Sequence, residues 1–497
     1  MERTNLEKVV SGSVYLAVDL LLTSAMGAFF WIIVARIVPP NDVGMAATVI
    51  AFLTTLNVFA NLGLPVAISK YVSEYNAQRR FDLSKSVFGF SIKIGLGVGV
   101  LVSILLLLFS GPISFLIYQN PELGSLMAFA AILVPFQVIG TSLSGFYQGC
   151  QKMEFCLIGD AIVAVSKFGA VLLMVIVFSY KALGILSAVA IGTILSCVTG
   201  YFFLIPRCLL KVDNNSPMVG QDRVMRGVLA FSFPNYISGI FGTLSTQLGI
   251  MLLGIYSLSS VAYYNIASLI FSMLIGVVGS VATALLPTVS EQWIIGSKSG
   301  VSDLLNLVVR LSLAVSGPFL LGASLFSKEV LALISPLYTP ASPSLQILTF
   351  SVFFGALGLS ATSVLNGIGN AKASMKVVLL SSLGTIMVTV ISVPIFGMVG
   401  AAVAILAGYL LRVTVGTFLL YKEGIKLEAM SLLRPAAPLA ISFITGSLLY
   451  SFFGDILITF VVVMLVYLTS AYLVKAISLD EINFLIKTIF GGFSNKK

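Results

Sequence analysis

The chain carries about 14 successive stretches of roughly 20 apolar residues, and that spacing is the strongest limit on its fold. A bilayer core of about 30 Å takes about 20 apolar residues per helix, so these stretches predict membrane-spanning helices. The expected spans are 12–36, 42–66, 86–110, 123–148, 155–179, 182–206, 228–256, 259–288, 303–327, 343–366, 374–395, 398–421, 434–453 and 455–475. Turn signals fall between them at Pro39-Pro40-Asn41-Asp42, Gly111-Pro112, Asn120-Pro121 and Pro336. The fold class is therefore all-α and polytopic. Beyond the last span, Asp480 to Phe493 bears an apolar stripe (Ile482, Phe484, Leu485, Ile489, Phe490) that fits a short interfacial helix.

Composition agrees. Of 497 residues, 58% are hydrophobic and 9% charged, too apolar for a soluble domain to cover its surface. The first apolar stretch holds Asp19 and has no clear small-residue cleavage site, so it reads as a retained span rather than a signal peptide. Histidine is absent, which removes His-based nucleophile activation, metal ligation and proton relay. No Walker loop is present, so ATP does not power the chain. The four cysteines, Cys150, Cys156, Cys197 and Cys208, form no CxxC pair and read as small core residues. No metal site and no cofactor are expected.

The net charge of +9 is mainly a topology signal. With both termini in the cytoplasm, about 21 basic residues fall on inner loops and tails and about three, Arg36, Lys181 and Lys328, on outer ones. The densest inner clusters are Lys70/Arg79/Arg80/Lys85 and Arg207/Lys211/Arg223/Arg226. Charge scattered over short loops suits anionic lipid heads and does not suit nucleic acid. A sequon at Asn214-Asn215-Ser216 lies in an inner loop and is read as chance.

The chain also repeats itself at an offset of about 217 residues. Val72-Ser73-Glu74 is echoed by Val289-Ser290-Glu291, and Gln148-Gly149 by Asn366-Gly367. Val43-Gly44-Met45 aligns with Val261-Ala262-Tyr263, and the segment Ala182 to Ala188 with Ile395 to Ala401. The period covers six spans, an even number, so the copies are parallel and related by an axis along the membrane normal. The expected organisation is a six-helix lobe over 1–210, a cytoplasmic inter-lobe loop over 211–227 and a second six-helix lobe over 228–422. Residues 423–497 add two further spans and a tail. Two facing lobes leave a cleft between them.

Several motifs resemble the polysaccharide-transporter branch of the multidrug/oligosaccharidyl-lipid/polysaccharide (MOP) flippase superfamily. These are Asn61-Leu62-Gly63-Leu64-Pro65 running into Tyr71-Val72-Ser73-Glu74, then Leu365-Asn366-Gly367-Ile368-Gly369-Asn370, and Gly397-Met398-Val399-Gly400-Ala401-Ala402, set in a 6+6+2 layout. The resemblance covers essentially the whole chain. It implies a cell-membrane transporter that flips oligosaccharide on a polyprenyl phosphate or pyrophosphate carrier by alternating access, often coupled to an ion gradient, for surface polysaccharide or glycan biosynthesis. Relatives in the superfamily keep two other readings open, a multidrug or cation antiporter and a lipid II flippase. A membrane-embedded enzyme would need a large polar loop, and the longest loop runs only from about Arg207 to Gly227.

Ionisable residues inside spans are functional candidates because each costs about 2.5–3.5 kcal/mol at a helix centre. Six are placed there: Asp19, Lys93, Asp160, Lys167, Arg310 and Arg412. The basic excess suits a phosphate or pyrophosphate head group. Lys167 and Arg412 are the deeper cations, whereas Lys93 and Arg310 lie about two turns from the inner helix ends and have snorkelling as their alternative. Asp19 and Asp160, at similar depth in one lobe, form the candidate coupling site for Na⁺ or H⁺. The alternative is a structural ion pair of Asp160 with Lys167. Asn235, Gln247 and Gln137 are weaker candidates for sugar hydroxyls, with helix packing as the plainer reading. Pro234, Pro287 and Pro318 are candidate kinks for lobe movement, with a static kink as the alternative. A monomer is expected.

Overall fold

The structure is a computed structural model, and it describes residues 22–208 and 221–474. Asp19, the Asn214-Asn215-Ser216 sequon, most of the 211–227 loop and the 480–493 tail lie outside the described residues. Among the described residues the chain is helical, with no strand. In order the helices are α1 (Leu22–Ile37), α2 (Pro40–Asn61), α3 (Leu64–Ala77), α4 (Phe81–Leu116), α5 (Pro121–Ala131) and α6 (Leu133–Gly149). Then come α7 (Met153–Val171), α8 (Ala182–Thr199), α9 (Ile205–Cys208), α10 (Gln221–Tyr256), α11 (Leu258–Ile294) and α12 (Lys298–Leu325). The last are α13 (Ser327–Ile334), α14 (Ser342–Gly367), α15 (Ala371–Lys422), α16 (Ala429–Phe453) and α17 (Ile456–Leu473).

Local chemistry sets many of these boundaries. Pro40 and Pro121 open helices where their missing N–H is no loss. The Asn120 side chain caps α5 by accepting from Glu122 N at 3.0 Å, Asn370 caps α15 through Ala373 N at 3.1 Å, and Asp455 caps α17 through Ile458 N at 3.0 Å. The Gly111-Pro112 signal is a correction: Pro112 lies inside α4, exposed one turn before its end, where a lost bond to the preceding turn is tolerated.

Among the described residues, eleven helices are long and apolar enough to cross a membrane, or up to 12 if a bent pair is one span, against the 14 spans expected over the whole chain. The bent pair is α5 and α6, which meet at 44° within the expected fourth span. Pro135, in the first turn of α6, has no N–H to return to α5. α15 runs 52 residues and contains two expected spans, 374–395 and 398–421, with Gly397 at φ 56°, ψ −130° marking the break just after Pro394. Only a residue without Cβ enters that region easily. Of the expected first span, Leu22–Ile37 is described. Two π-helical segments, Leu172–Val177 after α7 and Gly200–Leu204 after α8, had no signature in the sequence.

The contacts divide the chain into two compact units. Unit 1 comprises Met1–Ile266 with Thr389–Ala401, and unit 2 comprises Ala267–Val388 with Ala402–Lys497. Unit 1 has a core built from α3, α4 and α6, including Ile68, Val72, Val87 and Phe146, and Val228 of α10 joins it. α10 is tied in again where Tyr118 OH donates to Met251 O at 2.9 Å. In unit 2, the final two helices pack on α12: Tyr467 of α17 donates to Ala314 O at 2.8 Å and shares a core with Leu321 and Val463. Tyr450 of α16 hydrogen-bonds Glu329 of α13.

The repeat is visible in backbone hydrogen bonds. After α3, Gln78 N, Arg79 N and Arg80 N bond Glu74 O, Asn76 O and Tyr75 O; 217 positions on, Ile295, Gly296 and Ser297 bond Glu291, Trp293 and Gln292. After α6, Cys150, Gln151 and Lys152 bond Phe146, Gln148 and Tyr147; 218 positions on, Ile368, Gly369 and Asn370 bond Val364, Asn366 and Leu365. Packing repeats too, since Gly149 lies against Val72 as Gly367 lies against Val289.

One asymmetry between the copies is informative. At three matched positions, positive φ falls on Arg79, Gln151 and Ser179 in the first copy (φ 59°, 57° and 56°) and on Gly296, Gly369 and Gly397 in the second (φ 81°, 82° and 56°). A side chain with positive φ costs about 1–2 kcal/mol. Gln151→Gly should therefore raise the apparent melting temperature of the detergent-solubilised protein, and Gly369→Gln should lower it. Equal melting temperatures for wild type and both variants would contradict this reading.

Candidate functional site

Lys167 lies on α7, and α8 approaches that helix closely there. A Cβ at Gly192 would meet Val163 O at 3.0 Å and Lys167 Cβ at 3.3 Å. The Lys167 side chain is half-buried, and its ammonium sits 4.4 Å from the ring centroid of Phe30. Phe30 is itself 1% exposed on α1 and edge-packed on Trp31. A cation over a ring face in desolvated surroundings gains roughly 2 kcal/mol, so Phe30 supports a charge that the apolar span would otherwise disfavour.

On the same helix, Asp160 is exposed. Ser196 of α8 donates to Gly159 O at 3.0 Å, pinning α8 beside it. Lys93 is exposed on α4. Asn235, half-buried on α10, donates to Phe231 O of its own helix at 3.0 Å, and Gln247 is half-buried further along α10. All of these belong to unit 1.

Unit 2 contains Arg310 and Arg412. Arg310 is half-buried on α12. Arg412, on the second half of α15, lies flat on α14 where Gly358 leaves room. A Cβ at Gly358 would come within 2.9 Å of Arg412 Cγ, 3.1 Å of Cδ and 3.2 Å of Cβ. One turn before it on α15, Tyr409 packs edge-on against Phe271 of α11. The Arg412 Nε is buried and has no hydrogen-bond partner among the described residues. Buried donors are nearly always paired, so an open guanidinium N–H inside a membrane helix bundle is a ready site for an anionic oxygen.

The second feature of unit 2 is an apolar cavity of about 640 Å³. Leu320, Phe350, Phe353, Leu406, Leu439 and Phe443 help to line it, so α12, α14, α15 and α16 all contribute. Its wall is almost wholly hydrocarbon, with Ser324, Gln346 and Thr349 as polar exceptions, and Gln346 already donates to Ser324 O at 3.2 Å.

The sequence did not single out two of the groups that shape these places. Phe30 and Gly358 look like ordinary span residues, and only the fold sets them against Lys167 and Arg412. Asn57 of α2 presents a buried, unpartnered Oδ1 among the described residues, as does Gln137 through Oε1. The mid-span polarity that marked Asn235 marks Asn57 equally. Among the described residues no group of three His, Cys, Asp or Glu side chains could hold a metal ion.

With the geometry in hand, comparison with known proteins is informative. The family described as "Polysaccharide biosynthesis protein" matches residues 9–293, and the MatE family matches 234–391. Stage V sporulation protein B of Bacillus subtilis is 24% identical over 429 residues, covering 81% of each chain. An uncharacterized membrane protein of Methanocaldococcus jannaschii is also 24% identical, covering 81% of this chain and 82% of its own. Among solved structures, the lipid II flippase MurJ in an inward closed conformation superposes with a TM-score of 0.73 at 17% identity, over 93% of this chain and 98% of its own. An inward-facing multidrug resistance MATE family transporter gives 0.67 at 15%, over 83% and 98%. These last two likenesses concern the fold.

If the Phe30 ring holds the Lys167 ammonium, Phe30→Leu should increase labelling of Lys167 by an amine-reactive reagent about five-fold, the equivalent of roughly 1 kcal/mol, and Phe30→Tyr should change it little. Mass spectrometry of labelled peptides reads the result; unchanged labelling in Phe30→Leu would remove the ring from the account.

Proposed function

Since the chain belongs to the polysaccharide biosynthesis protein family of MOP-superfamily flippases and transporters, we propose that it flips oligosaccharide linked to a polyprenyl phosphate or pyrophosphate across the cell membrane. The observation that carries this is the Arg412 Nε, a buried cationic donor without a partner among the described residues. A phosphate oxygen is the acceptor such a donor fits best. Lys167 and Arg310 add half-buried positive charge within other spans, and the hydrocarbon-lined cavity of unit 2 is suited to part of an isoprenoid chain. An organic cation, the cargo of the rival antiporter reading, would be repelled by this excess of basic groups.

In this proposal Lys93, Lys167, Arg310 and Arg412 engage the charged head group, and Asn235 and Gln247 bond sugar hydroxyls. The chain performs no covalent chemistry on its cargo. Transport proceeds by alternating access, with the six-helix copies over 1–210 and 228–422 as the moving parts. Residues 211–227 join them, and 423–497 extend the second. Asp19 and Asp160 couple transport to Na⁺ or H⁺, both termini face the cytoplasm, and the chain acts as a monomer.

The test is a flipping assay in liposomes with a labelled polyprenyl-pyrophosphate sugar, with and without a Na⁺ or H⁺ gradient. Arg412→Ala should slow transfer at least about ten-fold, the effect of losing one charge-assisted hydrogen bond, and Arg412→Lys should restore part of it. Asp160→Asn should leave gradient-independent transfer intact and remove stimulation by the gradient. Efflux of a cationic dye with no lipid transfer would overturn the proposal in favour of the antiporter.

A further inference from the structure

Two of the four cysteines meet at one end of unit 1. Cys150 sits in the turn between α6 and α7, and Cys208 ends α9. Both pack, partly buried, on the same core cluster, and the two thiols are near enough for each to shift the other's titration. An independent contact brings the same two segments together, since the Lys152 ammonium donates to Arg207 O. The amide of Asn76 on α3 approaches Cys150 Sγ at 3.8 Å. Cys156 and Cys197 differ: both are buried, and their thiols face Ser144 O at 3.8 Å and Phe136 O at 3.1 Å.

We propose that Cys150 and Cys208 are a redox-active dithiol that closes to a disulfide when a hydroperoxide reaches it. The Cys150 thiolate attacks the peroxide oxygen, giving a sulfenic acid and releasing an alcohol, or water if the oxidant is hydrogen peroxide. The Cys208 sulfur then attacks the sulfenic sulfur, expelling water as the S–S bond forms. The two thiols lose two electrons together and the O–O bond gains them, so no other reductant or oxidant enters. Cys150 is the attacking sulfur because the Cys208 hydrogen bond, the Asn76 amide and the Lys152 charge hold its thiol below the ordinary cysteine value. The bridge would tie the α6–α7 turn to the point where the chain leaves α9 for α10. On the expected cytoplasmic face the pair stays reduced until an oxidant arrives.

The experiment uses the full-length wild-type protein in liposomes, treated with hydrogen peroxide and then with iodoacetamide, digested without reductant and examined by mass spectrometry. A linked peptide containing Cys150 and Cys208, lost on reduction, is the expected result, together with a reversible rise of several degrees in apparent melting temperature. In Cys208→Ser the linked peptide and the rise should vanish, and a sulfenic-acid probe should label Cys150. Full alkylation of both cysteines after peroxide, or linkage of either one to Cys156 or Cys197 instead, would overturn the proposal. This readout needs no transported substrate, so it stands or falls separately from the flipping activity.

Discussion

Everything in this molecule follows from the cost of an unsatisfied polar group in hydrocarbon. Each backbone N–H and C=O left unpaired in a bilayer core costs several kcal/mol, so the chain closes its backbone bonds inside helices and confines irregular backbone to short joints. The left-handed residues at Arg79, Gln151, Gly296 and Gly369 are such joints, each closed by the same turn hydrogen bonds. What then remains polar within the bilayer is a small set of side chains, and each of them needs a local reason to be there.

Lys167 and Arg412, both half-buried, meet that requirement differently. Lys167 has the face of Phe30. Arg412 has its aliphatic stem laid over Gly358, yet keeps an open Nε. A charge that is packed but not neutralised is poised for a ligand, and a transporter needs its ligand bound only transiently. The hydrocarbon-lined cavity among α12, α14, α15 and α16 lies in the same unit as Arg412, and in the proposed function it takes the apolar tail. The helices beyond the repeat are not ornaments here, because α16 forms one wall and α17 is fixed to α12 through Tyr467.

Much of the fold was legible because membrane helices announce themselves by length and hydrophobicity. The duplication was legible from scattered dipeptides such as Gln148-Gly149 and Asn366-Gly367, which mark the close approach of two helices in each copy. The bend at α5–α6, the long α15 and the π segments were not, because hydropathy records burial and says little of direction. The site was only partly legible. Charges within spans stand out in any sequence, but their exposure does not: Lys93 and Asp160 are exposed while Lys167, Arg310 and Arg412 are half-buried. Phe30 and Gly358 carry no polar signal at all, and their importance comes from tertiary neighbours.

The most direct measurement of the central claim is photo-crosslinking with a polyprenyl-phosphate sugar that carries a photoreactive group on its isoprenoid chain, followed by peptide mapping. Adducts are expected on α14 and α16 around Phe350, Phe353 and Phe443, competed by unlabelled polyprenyl pyrophosphate and weakened in Arg412→Ala, which loosens the head group. Adducts spread over lipid-facing helices without competition, or competed instead by an organic cation, would contradict it.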